Sequence, residues 1–333
     1  MTAVIPHWNR RQLLEGLLEN LRQQTRPFDE VIVVDNGSTD ESADAAERAG
    51  VRVVRLPANM GFAAAVNRGI AAASAADWVA ILNNDVTLSP EWLSTLLQAA
   101  NGPDVWFACG KILSAADRSL IDGLWDEISR GACPMRIGAG ALDGPAWSSA
   151  RPIRMTSMTA CLVRRGLFDQ LGSLDERFES YLEDVDFGLR CAKAGKAGVY
   201  APKAISSHQG SSTWGRWNPD TVRLLSRNQV LLTAKHFRGQ AWWPIVAGQL
   251  LWGMLALRHG CVWAWLRGKF AGLRMAGQIE DATADPAAFR ILIRESEEEI
   301  LAAQRQTGPS QSNQQPSHKM DSYWRVYTWL VRS

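Results

Sequence analysis

Two carboxylate clusters 100 residues apart are the parts of this chain best suited to chemistry. The first, Asn83-Asn84-Asp85, closes an apolar run; the second, Glu183-Asp184-Val185-Asp186, lies within YLEDVDFGLR. A carboxylate at the end of an apolar strand is a hard oxygen ligand that can hold a divalent cation. Asn and Asp also favour turns, so Asn-Asn-Asp taken alone reads equally well as a turn. In the second cluster, read as helix, Glu183 and Asp186 share a face and Asp186 reaches Arg190 at i, i+4. Asp184 points elsewhere, along a face that continues with Phe187, Gly188 and Cys191. A carboxylate looking toward packed surface has its pKa raised and becomes a better base, with Gly188 leaving room for a substrate. The competing reading, an acidic helix start favoured by the macrodipole, explains Glu183 better than Asp184. His208, in SSHQGSS, is flanked by small polar residues as a ligand in a site loop would be.

The elements that must position these residues are strands alternating with helices over residues 3–100. Val4-Ile5 opens a strand, and leucines at 13, 14, 17, 18 and 21 keep a helical rhythm. EVIVVD (30–35) is a buried strand, and Ser38 with Glu41 is expected to form a capping box for the Ala-rich helix that follows. VRVVRL (51–56) and WVAILN (78–83) are further strands; FAAAVNRGIAAASAA between them is helix, and Ser89-Pro90 starts another. Such alternation implies parallel crossovers in an open, doubly wound sheet, whose ligands bind beyond the carboxyl ends of the strands. Asp35 and Asp85 both stand at those ends. Residues 101–235 are less regular, with helix from Asp184 to Ala194 and strand at 198–200.

Together with Asp35-Asn36-Gly37-Ser38-Thr39-Asp40, these clusters resemble the sugar-nucleotide transferases of glycosyltransferase family 2, in particular their rhamnosyltransferase-like branch. The resemblance is carried by Asn59-x-Gly61-Phe62-Ala63-x5-Arg68-Gly69 and by Gly172-Ser173-Leu174-Asp175-Glu176-Arg177-Phe178. It continues through Glu183-Asp184-x-Asp186-Phe187-x-x-Arg190, Ala194-Gly195, Ala201-Pro202 and His208, and covers residues 3–235. It implies an α/β protein of the GT-A fold, a doubly wound, mostly parallel central sheet with helices on both faces, extended by a helical C-terminal region. It further implies a nucleotide-sugar-binding half over 1–100 and an acceptor and catalytic half over 101–235.

The resemblance assigns donor binding to Pro6, Asp35, Asn36, Asn59, Gly61, Arg68, Asn83, Asn84 and Asp85, with Gly61 allowing close backbone approach to the nucleotide. Asp85 and His208 become ligands of a divalent cation, Mg²⁺ or Mn²⁺, at the donor's diphosphate. Asp184 becomes the general base of an inverting transfer, and Thr159, Ala160, Glu183 and Trp214 line the acceptor or sugar site. Trp214 and Trp217 are each as well suited to core packing as to stacking on a sugar. The implied reaction moves a sugar, with rhamnose from dTDP-rhamnose the first assignment, from a nucleotide donor to a hydroxyl of a lipid-linked or polysaccharide glycan. Asn83 replaces the first acid of the family's Asp-x-Asp motif, and Asn36 replaces a second Asp. Those replacements raise the alternative of a non-catalytic nucleotide-sugar binder or scaffold of the same fold; Asp85, Asp184 and His208 together argue against it. A nucleotidyltransferase would want a Gly-rich basic loop after the first strand, and HWNRRQ has the arginines without the glycines.

With 333 residues, 46% hydrophobic and 21% charged, the chain can bury a large core. A net charge of +2 predicts no global attraction to nucleic acid. Five scattered cysteines without CxxC spacing argue against a disulfide framework, which fits a reducing cytoplasm, and MTAVIPHW has no signal-peptide character. Fifteen tryptophans are unevenly placed: five of them (Trp242, Trp243, Trp252, Trp263, Trp265) fall in residues 235–279, with six Lys or Arg and no Asp or Glu. The longest apolar stretch there, 242–257, is short of the ~20 residues of a membrane span. Cations with tryptophans suit amphipathic helices on an anionic membrane surface, which predicts a peripheral protein on the cytoplasmic face of the membrane. An acidic helical pattern completes a 236–306 region, residues 307–320 read as a flexible linker, and 321–333 regain amphipathic character.

Overall fold

In a computed structural model of the chain, residues 1–210, 217–282, 285–306 and 319–331 are described. They divide into two units: Met1–Trp125 with Asp143–Gly210, and Asp126–Leu142 with Ser211–Ser333.

The first unit begins with the expected alternation: β1 (Thr2–His7), α1 (Arg11–Arg22), β2 (Glu30–Asp35), α2 (Ser42–Arg48), β3 (Arg52–Arg55), α3 (Phe62–Ala72), β4 (Trp78–Leu82), β5 (Val86–Leu88) and α4 (Trp92–Ala99). It continues with β6 (Val105–Ser114) and β7 (Ile121–Gly123). After β8 (Asp126–Ile128) and β9 (Pro134–Arg136), which belong to the second unit, come β10 (Arg151–Ile153), β11 (Ala160–Arg164), α5 (Gly166–Leu171), α6 (Glu183–Lys193) and β12 (Ala197–His208). The sheet runs β10-β12-β6-β11-β4-β1-β2-β3, with β5 on β12 and β7 on β6. β1, β2, β3 and β4 are mutually parallel, β11 is antiparallel to both its neighbours, and β12 is parallel to β6. The carboxyl ends of β1, β2, β4, β6 and β12 therefore lie along one edge.

Side chains alternate across this sheet as the strand period requires. Ala3 and Ile5 pack with Leu14, Leu17 and Leu18 of α1 and Trp92, Leu93 and Leu96 of α4 in one core. Val4 faces the other way, into α3, where a Cβ on Gly69 would come within 2.2 Å of it. Helices on both faces give the doubly wound arrangement.

Two local expectations are corrected. Ser38 and Glu41 do not form a capping box: Glu41 has left-handed geometry at the α2 N-cap, and Ser38 Oγ accepts from the Asn9 N–H at 2.8 Å. Asp40 takes the role, accepting from the Ser42 N–H (3.2 Å), the Ser42 hydroxyl (2.6 Å) and the Arg11 N–H (2.8 Å). One carboxylate, a stronger acceptor than a hydroxyl, thus satisfies the starts of both α1 and α2. Second, β12 is twelve residues long, so His208 ends a strand instead of sitting in a loop. β12 pairs β6 along one side and β10 and β5 along the other, which extends it well beyond the local apolar pattern. Its pairing with β6 skips between Ala201 and Ile205. That bulge lies over Gly110, where a Cβ would meet the Ala204 carbonyl oxygen at 1.9 Å.

The second unit combines the β8–β9 ribbon with α7 (Pro219–His236), α8 (Trp242–Arg258), α9 (Val262–Ala276), α10 (Pro286–Gln306) and α11 (Lys319–Val331). The Ile128 N–H donates to Ser296 Oγ at 2.7 Å, and buried Glu297 accepts from Arg130 Nε and from the Tyr327 hydroxyl, each at 2.9 Å. The aromatic C-terminal segment is partly core: Tyr323, Trp324 and Tyr327 are buried, whereas Trp329 is 75% exposed. Trp217 packs inward too, stacked on Trp252 and His259. The expected linker lies outside the described residues except for Lys319 and Met320, which open α11. All five cysteines are free and buried. Among the described residues no helix is long and apolar enough to cross a membrane.

Candidate active site

The carboxyl ends of β2, β1 and β4 stand side by side, because β1 pairs with both others. Asp35 ends β2 in register with His7, the last residue of β1. Pro6 is buried within β1, opposite Val34. Asp35 is 4% exposed and accepts from the Ser38 N–H at 3.2 Å, folding the 36–40 turn back over the strand end. Beyond β4, Asn84 Nδ2 donates to His7 Nδ1 at 2.8 Å. Burial drives the His7 pKa down to about 4, with Asp40 and Asp35 opposing only in part. The ring is therefore neutral at pH 7, with its proton on Nε2. Among the described residues, His7 Nε2 and Asn83 Oδ1 are buried without a hydrogen-bond partner. Orphaned polar atoms at a strand edge of this kind are suited to complementing a polar ligand.

Asp85 and His208 meet. β5 pairs antiparallel with the end of β12, setting His208 opposite Val86, and the Gln209 N–H donates to the Asp85 carbonyl at 3.1 Å. Asp85 Oδ1 stands 3.2 Å from His208 Nε2, and Asp122 Oδ2 stands 2.9 Å from His208 Nδ1. Burial alone would lower the His208 pKa, but the hydrogen bonds to Asp122 and Asp85 outweigh it and raise the pKa to about 9. At pH 7 the ring is an imidazolium whose Nε2 proton sits between it and Asp85. An oxygen and a nitrogen donor 3.2 Å apart could together hold a Mg²⁺- or Mn²⁺-sized cation, with phosphate oxygens and water to complete its shell. Among the described residues no group of three His, Cys, Asp or Glu side chains is arranged to hold a metal by itself.

Asn36, 5% exposed, binds the 59–61 segment: Nδ2 donates to Asn59 Oδ1 (3.0 Å) and to the Gly61 carbonyl (3.1 Å), and Oδ1 accepts from the Met60 N–H (2.8 Å). Asn59 Oδ1 also accepts from the Gly61 N–H at 3.0 Å. The backbone nearest the open side of Gly61 is that of Glu179: at φ +87°, a Cβ there would fall 2.7 Å from the Glu179 carbonyl oxygen. The Ala63 N–H donates to that oxygen at 2.9 Å, and the Phe62 N–H to Ser180 Oγ at 3.1 Å. This segment thereby fixes the 179–182 loop, in which Glu179, Tyr181 and Leu182 all have positive φ before entering α6. Arg68 is exposed and pairs with Glu176 at 2.9 Å, beside Asn67, which binds the Leu174 carbonyl and N–H. The two sequence motifs are thus one interlocked structure.

α6 begins at Glu183. Glu183 and Asp186 are buried, Asp186 pairing with Arg190 at 3.0 Å, and Arg190 in turn donates to the carbonyls of Leu171, Gly172 and Ser173. Asp184 is half-buried in the first turn and accepts from the Val185 N–H at 2.9 Å. The space expected at Gly188 is not open to a substrate: Met155 fills it, its Cγ within 2.6 Å of where a Cβ would be. Thr159 and Ala160 lie against the end of β4, the Asn83 N–H donating to the Thr159 carbonyl at 2.8 Å and Ala160 pairing with Leu82. Trp214 lies outside the described residues. Sequence reasoning missed His7 and Asp122. His7 follows an apolar strand run, the same signal that marked Asp35; Asp122, in a three-residue strand, has none.

The description of glycosyl transferase family 2 matches residues 2–170. The chain belongs to this family and is a glycosyltransferase of the GT-A fold. It is 33% identical over 272 residues to the N-acetylglucosaminyl-diphospho-decaprenol L-rhamnosyltransferase of Mycobacterium tuberculosis, covering 74% of this chain and 87% of that one. A pre-mycofactocin glycosyltransferase of the same organism is 30% identical, over 65% of this chain and 44% of that one. Among solved structures, GalNAc-T7 with UDP, GalNAc and Mn²⁺ superposes with a TM-score of 0.63 at 14% identity, covering 90% of this chain and 57% of that one. The mannosyltransferase PcManGT from Pyrobaculum calidifontis, in complex with GDP-Man and Mn²⁺, gives 0.52 at 17% identity, covering 98% and 85%.

Proposed function

We propose that this glycosyltransferase transfers rhamnose, with inversion, from dTDP-rhamnose to a hydroxyl of a lipid-linked glycan, using a divalent cation. The observation that carries the reading is the Asp85–His208 pair at the strand ends, 3.2 Å apart and tied through the backbone. The donor and the lipid-linked acceptor are carried over from the rhamnosyltransferase relative, and cation use from the Mn²⁺-bound neighbours. Asp85 and His208 would hold the cation, which neutralises charge developing on the departing diphosphate. Asp35, Asn36 and the 59–61 segment would position the nucleotide, and His7 and Asn84 would back that wall. Asp184 takes the proton from the acceptor hydroxyl as its oxygen bonds to the anomeric carbon and the nucleoside diphosphate leaves from the opposite face. Thr159 and Ala160 keep the β11 side small enough for a sugar.

A lipid-linked acceptor calls for a membrane surface, and the second unit has apolar residues to meet one. Trp242, Leu250, Met254 and Leu257 on α8 and Trp263, Phe270 and Leu273 on α9 are each 55–72% exposed. Exposed Arg258, Arg267 and Arg274 lie among them. Trp252 and Trp265 are only partly exposed, so the tryptophans divide between packing and surface.

The test is calorimetric titration with a panel of nucleotide sugars, with and without Mn²⁺ or Mg²⁺. The proposal expects tightest binding of dTDP-rhamnose, strengthened by the cation, with Asp85→Ala weakening it more than His208→Ala. Preference for another donor reassigns the sugar. Binding indifferent to chelator, in wild type and both variants, overturns the metal assignment, and binding without turnover on any glycan acceptor makes the protein a nucleotide-sugar binder.

A further inference from the structure

We infer that Asp122 is the positioning residue that orients His208 toward the cation, an inference that rests on the metal reading above. Asp122 lies on β7, a strand of three residues whose register with β6 is irregular: Ile121 pairs with Leu113 and Gly123 with the adjacent Ile112. Two steps along β7 oppose one along β6, so Asp122 is the extra residue of a β-bulge. Bulges re-aim side chains and occur beside functional sites. This one brings Asp122 Oδ2 to 2.9 Å from His208 Nδ1, although the two residues are 86 positions apart. Regular pairing would have turned that side chain in step with its neighbours.

The backbone of His208 is fixed separately. Its carbonyl accepts from the Ala115 N–H at 2.9 Å, and the Ser114 N–H binds the Leu120 carbonyl at 2.9 Å, closing the turn that leads into β7. With the backbone so held, Asp122 serves the ring. A carboxylate on Nδ1 keeps the proton there, so that Nε2, facing Asp85 at 3.2 Å, is the nitrogen whose lone pair is offered when a cation displaces its proton. The same contact holds the imidazole plane and raises its basicity. A carboxylate–histidine–metal arrangement of this kind typically changes metal affinity by ~10- to 100-fold.

The experiment measures Mn²⁺ binding by the electron paramagnetic resonance of free Mn²⁺, with dTDP present, for wild type, Asp122→Ala and Asp122→Asn. Nitrogen NMR of the His208 ring in the Mg²⁺-loaded proteins reports the tautomer, and unfolding in chelator controls for the fold. Asp122→Ala should bind Mn²⁺ ~10- to 100-fold more weakly. Asp122→Asn, which keeps an acceptor without the charge, should lose less and keep the Nδ1–H tautomer. Excess Mn²⁺ should restore transfer in both, because neither variant removes a group from the reaction. Should Asp122→Ala fail to fold, Asp122→Asn alone decides, a wild-type affinity counting against the inference. Wild-type Mn²⁺ affinity in Asp122→Ala, with wild type itself binding, overturns the role of Asp122 and leaves the metal site standing. A wild-type protein that takes up no Mn²⁺ overturns the metal reading and this inference with it.

Discussion

His7 is a buried, neutral histidine between two sequence motifs, and its pKa of about 4 lies below the ordinary 6.5. The unfolded chain therefore binds more protons than the folded one between those values, so folding stability contributed by His7 is complete above pH 6.5 and is lost as pH falls toward 4. The loss should be about 3 kcal/mol. Urea unfolding from pH 7 to 4 should show this acid limb, and His7→Gln, which has no such proton to gain, should flatten it; an unchanged limb in the variant would assign it to carboxylates instead. Asp35 and Asp85 were legible as candidates because carboxylates at the ends of apolar runs are suited to binding, and His208 because small polar residues flank it in SSHQGSS. Asp122 was not, since what makes it relevant is a bulge in a three-residue strand, a feature of pairing between distant segments that no local pattern encodes. Gly188 misled for a related reason: a missing side chain signals close approach but does not say by what, and the occupant is Met155.

At the scale of elements, the central dependence is between the start of α3 and the start of α6. Gly61 admits the Glu179 backbone, and the loop so held delivers Asp184 at the first turn of α6. Gly61→Ala must therefore displace backbone and also adopt a positive φ, whereas Gly50→Ala has the same φ problem, at +78°, with nothing within 4 Å. Gly50→Ala should cost ~1–2 kcal/mol from backbone strain alone, and Gly61→Ala ~3 kcal/mol or more. Gly61→Ala should also reduce turnover beyond its effect on the folded fraction. Equal unfolding midpoints and equal turnover for the two variants would show that the loop does not depend on this contact. The strand and helix order over 3–100 was readable because each element carries its own period and is bounded by turn residues. β12 and the Asp40 cap were less so. The first is long because three neighbours pair with it, and the second is hidden because one carboxylate serves the starts of α1 and α2, two helices with a strand between them.

At the scale of the whole molecule, the exposed apolar and cationic residues of α8 and α9 predict binding to anionic lipid, each arginine near the surface contributing ~1 kcal/mol and the tryptophans a salt-resistant part. Sedimentation with anionic and neutral vesicles should show binding to the anionic ones, reduced but not abolished by salt. Binding to neither would place these residues at a protein interface. Asp184 is proposed as the base of an inverting sugar transfer, and a paired assay decides it: transfer and donor binding measured together on Asp184→Asn. Loss of transfer by at least ~10² to 10⁴, with donor affinity nearly unchanged, is the predicted result, because the base acts on the acceptor and does not touch the diphosphate. Near-normal transfer in that variant would contradict it and move the base to another carboxylate.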